Sequence, residues 1–276
     1  MTLSERNTFF KAGIVFCSLI TLLVIGISSI TLSVYPTMEE NTRRPEYLFQ
    51  SISGLFLKND YYAVHASLIL AVLFSLIGIS LIHSFFERTS TPEILYISFF
   101  TVSFSLESLR LILPLHLVYN FPVFYLLSAS RLLLFARYFG IFSLFTASLF
   151  AAGLEVQKTR NVILFIVIAI FSIILGVPID TLNWDTCFNM VNGYNSMFRM
   201  MDAITFIAAT ITFFAAVKIR GSGEYFFVGT GVMLAMSGRN ILLGSDNWAG
   251  SILGIVLLSF GTWFICSKLH KIHLWL

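Results

Sequence analysis

Two acidic and five basic side chains stand inside stretches of this 276-residue chain that are otherwise apolar enough to cross a membrane. The stretch SLESLRLILPLHL, 105–117, carries Glu107 and Arg110, and the stretch RMMD carries Arg199 and Asp202. Arg131, Arg137 and Arg239 interrupt three further positions of apolar sequence, and His65 stands near the start of another run. A charge at the centre of a bilayer costs roughly 2.5–3.5 kcal/mol on insertion scales, so such side chains turn inward, pair, or line water. Arginine offers a planar fork of donors matched to carboxylate or phosphate. The chemistry open to this set is ionic recognition: of one another, of a small anionic ligand, or of a lipid headgroup.

Spacing sharpens the choice. Glu107 and Arg110 are three residues apart, so they are neighbours on one helix side. Arg199 and Asp202 repeat the spacing in reverse order on a span of opposite direction, which sets each Arg one turn outside its acid. Arg137 has no acid within four residues on either side. Its partner must come from another helix, and Glu107 is the natural candidate. Five arginines against two acids leave three positive charges over. Water, backbone carbonyls, the rim acids Asp180, Asp185 and Asp246, or a bound anion would balance them. The alternative is that the pairs only lock helices together. A third option is a proton or ion pathway through these charges. His65 alone reads as a hydrogen-bonded structural residue.

The elements that position these residues follow from composition. The chain is 57% hydrophobic with mean hydropathy +0.88, and only 11% charged, against roughly 25% in soluble domains. Continuous apolar runs, in place of alternating ten-residue strands, make this an all-α integral membrane protein and exclude a barrel. Eight spans are expected, at about 12–35, 62–86, 93–116, 122–153, 161–179, 197–217, 224–243 and 248–268. They form a single polytopic domain over 1–276. The fourth, at ~1.5 Å per residue, would reach about 48 Å, so it is tilted, kinked near Gly140 or extended past the bilayer. The first span is too long for the apolar core of a cleaved signal peptide and reads as a signal anchor.

With both termini cytoplasmic, nine basic residues lie inside: Arg6, Lys11, Arg88, Lys158, Arg160, Lys218, Arg220, Lys268 and Lys271. Three lie outside, Arg43, Arg44 and Lys58. That bias orients the protein in an inner or plasma membrane, and an odd number of spans would spoil it. The outward loops are the long ones. In 36–61 the segment 46–57 is expected as an interfacial helix. The other, 180–196, holds Asn183, Trp184, Asp185 and Asn189, which would cap a polar cavity in the outer half. The inward loops are short, so any output is expected from a membrane or cytoplasmic protein partner.

Other signals are weaker. Ser108, Arg110, Ile112 and Leu113 match Ser237, Arg239, Ile241 and Leu242 in register, as a four-plus-four duplication would produce. Gly250, Gly254 and Gly261, with the small residues of 229–244, allow close helix packing. HKIH, 270–273, reads as an exposed basic tail. Cys17, Cys187 and Cys266 have no metal or disulfide spacing. No catalytic motif, metal ligand set or cofactor signature appears, and no basic soluble patch addresses nucleic acid. Three readings result. The first is a receptor-like or transport protein whose Arg-rich outer cavity binds an anionic ligand or headgroup amid membrane lipids. The second is a non-catalytic subunit of a membrane complex whose ion pairs only fix packing. The third is a lipid-modifying enzyme, which lacks an identifiable nucleophile. If the orientation is right, a C-terminal reporter that works only in the cytoplasm is expected to be active, and one that works only outside to be silent; the reverse pattern refutes it.

Overall fold

The computed structural model describes residues 3–39, 56, 58–87 and 91–274. Arg43, Arg44, Arg88 and all of the expected interfacial helix except Phe56 lie outside the described residues. The chain is a mostly helical, multi-span bundle with one small hairpin. The helices are α1 (Leu3–Glu39), α2 (Tyr61–Phe86), α3 (Pro92–Ser103), α4 (Ile112–Tyr119), α5 (Val123–Ala151), α6 (Thr159–Leu175), α7 (Asn195–Arg220), α8 (Glu224–Gly244) and α9 (Trp248–Leu274). Among the described residues, seven helical stretches are long and apolar enough to cross a membrane, α3 and α4 counting as one continuous stretch, Pro92–Tyr119. The fifth expected span, 161–179, is shorter than the sequence implied: α6 has 17 residues, about 26 Å at ~1.5 Å each. It stops at Leu175 because Gly176 and Pro178 follow, and proline cannot donate to a continuing helix.

Between α3 and α4 the chain runs as a 3-10 helix, Phe104–Leu111, eight residues long. Such runs rarely exceed three or four residues, and two local causes converge here. Pro114 has no N–H for the carbonyl of Arg110, so the α-helical bond that would close this turn cannot form. On the other side, hydroxyls bond back to the helix: Thr101 to Ile97 O, Ser103 to Phe100 O at 2.7 Å and Ser105 to Val102 O at 2.7 Å. These bonds compete with the regular ladder. At three residues per turn, positions i and i+3 eclipse. Phe104, Glu107 and Arg110 therefore stack on one line, and all three are buried.

α5 runs unbroken from Val123 to Ala151. Gly140 is the place where it meets the end of α3: a Cβ there would collide with Ser103 Oγ and lie 3.0 Å from Ser103 Cβ. α8 and α9 form a close pair. A Cβ on Gly254 would come within 2.6 Å of Leu242 N, and one on Gly261 would collide with Ala235 N. The small residues thus pack the bundle against itself. The largest core cluster holds Phe10, Phe86, Tyr96, Phe100, Phe150 and Phe213 and extends to Val177 and Phe198 beside the hairpin. α9 does not end in a loose tail as expected. It continues through Leu274, burying Leu269 and Ile272, with His270 edge-on to Phe86 at 5.4 Å and Lys271 2.6 Å from Glu224.

The hairpin pairs β1 (Ile179–Trp184) with antiparallel β2 (Met190–Asn192) across a register break. It lies at the end of the bundle where α2, α7 and α9 begin. Thr186 donates to Asp246 Oδ2 at 2.7 Å, Asp60 N donates to Asp246 O at 2.8 Å, and Trp248 Nε1 donates to Asp60 Oδ2 at 2.8 Å. Gly261→Leu is expected to wedge α8 from α9 and cost about 1–3 kcal/mol or more, read as a lower unfolding midpoint in detergent. Gly26→Leu, where no atom lies within 4 Å of a Cβ, is the control and should change little.

Candidate functional site

The eclipsed 3-10 turn places Arg110 Nε 2.7 Å from Glu107 Oε2. Nε finds no aligned hydrogen bond, so this contact is an ion pair by distance rather than by direction. The directed bonds come from α5. Arg137 Nε donates to Glu107 Oε1 at 2.8 Å and Arg137 Nη2 donates to Oε2 at 2.8 Å, a two-point fork. The same Nη2 donates to Asn189 Oδ1 of the hairpin at 2.7 Å. Arg110 turns its other nitrogens elsewhere: Nη2 donates to Leu243 O at 3.0 Å, and Nη1 lies 3.5 Å from Cys187 O. Leu243 is in the last turn of α8, whose terminal carbonyls lack helical partners and carry partial negative charge. Glu107 is 1% exposed and Arg110 2%.

Arg239 joins from α8. It is 5% exposed, donates through Nη1 to Asn240 Oδ1 at 2.9 Å, and lies in electrostatic reach of Asp202 and Glu107. Asp202 on α7 is half-buried, and its Oδ1 is enclosed without a hydrogen bond. It interacts with Arg239 and Arg137 and forms no ion pair with Arg199, which is exposed. Arg131 is half-buried with its Nε enclosed and unpartnered, and it enters no ion pair among the described residues. Thus five of the eight candidate residues share one electrostatic group: Glu107, Arg110, Arg137, Asp202 and Arg239. Asp185 of the hairpin also acts on Arg110 and Arg137. Of this group, only Glu107, Arg110 and Arg137 are in ion-pair contact among the described residues; Asp202 and Asp185 offset the remaining positive charge from farther away.

His65 is buried apart from this group. Its Nδ1 lies 3.1 Å from Tyr61 O and its Nε2 3.1 Å from Thr31 Oγ1. The carbonyl can only accept, so Nδ1 carries a proton. The ring is flanked by Tyr61, centroids 4.5 Å apart, and by Phe188, 5.3 Å.

Asp185 organises the hairpin tip. Its Oδ1 accepts from Cys187 N at 3.0 Å and Asn189 N at 2.8 Å, and its Oδ2 accepts from Asn189 Nδ2 at 3.0 Å. Asn183 donates to Asp180 Oδ2 at 2.7 Å; that bond and the Leu182 N–H hold the Asp180 carboxyl below its ordinary range. Beside Arg110 is a cleft of about 10 Å³, walled by Leu126, Leu133 and Ser130 and roofed by Phe188 and Met190. That is about one water in size, far below the several hundred Å³ usual for a small-molecule pocket. Among the described residues no group of three His, Cys, Asp or Glu is placed to hold a metal ion.

Several participants escape a reading of side-chain types. The carbonyls of Leu243 and Cys187 leave no mark in sequence. Arg6, counted only as a cytoplasmic charge, is buried and donates to Phe86 O at 2.7 Å and Glu87 O at 3.1 Å. Glu107 and Asp202 are not the only enclosed acids: Glu93, in the first turn of α3, is 4% exposed and in reach of Arg220. The burial of Glu93 follows from α3 beginning inside the packed bundle. No protein-family model matches the chain, and no curated protein matches it.

Removing Glu107 would leave Arg110 and Arg137 buried without their shared anion. Glu107→Gln is therefore expected to cost about 3–5 kcal/mol, measured as a shift in unfolding midpoint in detergent. Asp202→Asn, which loses no hydrogen bond at Oδ1, is expected to cost clearly less. The opposite order would move the centre of the network to α7.

Proposed function

We propose that this protein is a non-catalytic subunit of a membrane complex, in which the buried charges fix how the helices pack. The observation that carries this reading is Glu107, buried and held on both oxygens by Arg110 and Arg137. A network closed on itself needs no added anion. It joins the 3-10 segment, α5, α8 and the hairpin at one level, adding directed contacts to apolar helix packing. In this reading the chain is one polytopic domain with eight crossings. The short α6 completes its crossing with the residues that follow it, the hairpin faces outward, and both termini are cytoplasmic. The wide apolar faces of α1, α6 and α7 meet lipid and partner subunits.

A second reading is favoured by one observation, the cleft beside Arg110 with its apolar walls and single guanidinium. Under it, the outer half recognises a carboxylate or phosphate, as a receptor-like or transport protein. One variant separates the two. A buried ionic network can often be replaced by apolar residues of similar volume without loss of stability. Glu107→Met, Arg110→Met and Arg137→Met, made together, should therefore keep the fold and whatever membrane subunit co-purifies with the wild type. Native mass spectrometry of gently solubilised protein reads both. A small anionic mass on the wild type, lost in the triple variant while the fold persists, would favour the second reading.

A further inference from the structure

Two donors of the charge network end on the hairpin tip rather than on a group in the bundle. Arg137 Nη2 donates to Asn189 Oδ1, and Arg110 Nη1 lies 3.5 Å from Cys187 O, the outer limit of a hydrogen bond. Both acceptors are neutral oxygens. A carboxylate or phosphate would offer charged ones, and charge-assisted bonds are roughly twice as strong. The tip is also held under tension. Phe188 has φ +60°, a conformation that a bulky residue keeps only where its surroundings over-determine it. Its ring is wedged against Tyr61 and His65, 5.3 Å from each, and roofs the cleft beside Arg110. Above, the tip has its own frame in Asp185 and a side-chain tie to the loop between α8 and α9 through Thr186 and Asp246.

We propose that the tip, residues 185–189, is a plug in cis. Its neutral oxygens meet the donors of Arg110 and Arg137 directly, while the Asp185 carboxylate is taken up by the tip's own N–H groups, and a ligand bearing a carboxylate or phosphate displaces the tip and brings its own charge. This rests on the second reading above and adds its regulation. The guanidiniums take the anionic head. The cleft, which widens as Phe188 lifts, takes a short apolar part between Leu126 and Leu133. A lipid headgroup and a soluble anion share that chemistry.

Cys187 is a built-in reporter. It is free, 4% exposed, and its thiol is pushed up by burial, so the closed tip reacts slowly with maleimide, which needs the thiolate. The experiment uses the full chain in nanodiscs, with Cys17→Ser and Cys266→Ser, and follows labelling of Cys187 by a hydrophilic maleimide. Asn189→Ala removes the bond from Arg137 and the Asn189 Nδ2 bonds to Asp185, and should label about tenfold faster. Thr186→Val, which cuts the tie to Asp246 without touching the arginines, should also label faster. Leu182→Ala, at an exposed position of the same hairpin, should not. Inorganic phosphate or short-chain phosphatidic acid should accelerate labelling of the otherwise wild-type chain in a saturable way. The half-saturating concentration should fall by about the same tenfold in Asn189→Ala, because apparent affinity scales with the open fraction. A response to phosphate assigns a soluble anion, and a response to phosphatidic acid alone assigns a lipid headgroup. Equal labelling in all forms overturns the plug. Faster labelling in Asn189→Ala and Thr186→Val with no response to either anion overturns the anion reading beneath it.

Discussion

Glu107 sets the condition that the surrounding half of the bundle must meet. Its carboxylate is almost fully removed from solvent, where an uncompensated charge would cost several kcal/mol. Both oxygens must be neutralised, and each by a group that is itself satisfied. Arg137 supplies the fork, which requires α5 to run alongside the 3-10 turn at one height. Arg110 supplies the second charge, which requires that turn to be wound at three residues rather than 3.6. Arg137 in turn needs Asn189, and Arg110 needs the last carbonyls of α8. One buried acid thus propagates constraints on register, helix type and loop placement through elements that share little sequence proximity.

Much of this was legible from residue types. Charges in apolar runs must converge, and Glu107, Arg110 and Arg137 do, because no cheaper arrangement exists in hydrocarbon. Asn189 was visible as part of a polar outer loop. What the pattern could not supply was the local geometry. Arg199 and Asp202 have the same spacing as Glu107 and Arg110, yet they form no pair. Their segment is regular α-helix with Arg199 on its exposed face, whereas the 3-10 turn eclipses the other two. Pro114 was the signal for that difference. The 17-residue α6 likewise yields to Gly176 and Pro178, two breakers that hydropathy counting passes over. Carbonyl acceptors such as Leu243 O were beyond reach, since every residue has one and only the fold chooses among them.

The charge balance bears on how a polar cluster in a membrane is interpreted. Counted along the sequence, the arginines outnumber their acids and invite an external anion. Counted in space, two of them leave the group and an aspartate enters it from the hairpin. The sign of a buried cluster is therefore a property of the loop that covers it as much as of the spans. A hairpin at one end of the bundle contributes both a counter-charge, Asp185, and a neutral acceptor, Asn189, to residues on the helices.

Three arginines share a further habit. Arg6 reaches the end of α2, Arg110 the end of α8 and Arg220 the end of α5, where it donates to Ala151 O at 3.2 Å. Their acceptors lie 80, 133 and 69 residues away in the chain. In two cases the acceptor is made after the donor, and in the third before it. A membrane protein threaded from its N-terminus meets these contacts in a fixed sequence. The segment with Glu107 and Arg110 enters the bilayer while α5, the hairpin and α8 do not yet exist, carrying a charge pair that must satisfy itself through the i,i+3 contact alone. The helix order of the gene is thereby a timetable: Arg137 arrives first to take the acid, then Asn189 and the Cys187 carbonyl with the hairpin, and only with the last turn of α8 does Arg110 Nη2 find its acceptor. A chain that stops before α8 holds Arg110 without the Leu243 carbonyl, a buried donor whose partner has yet to be made.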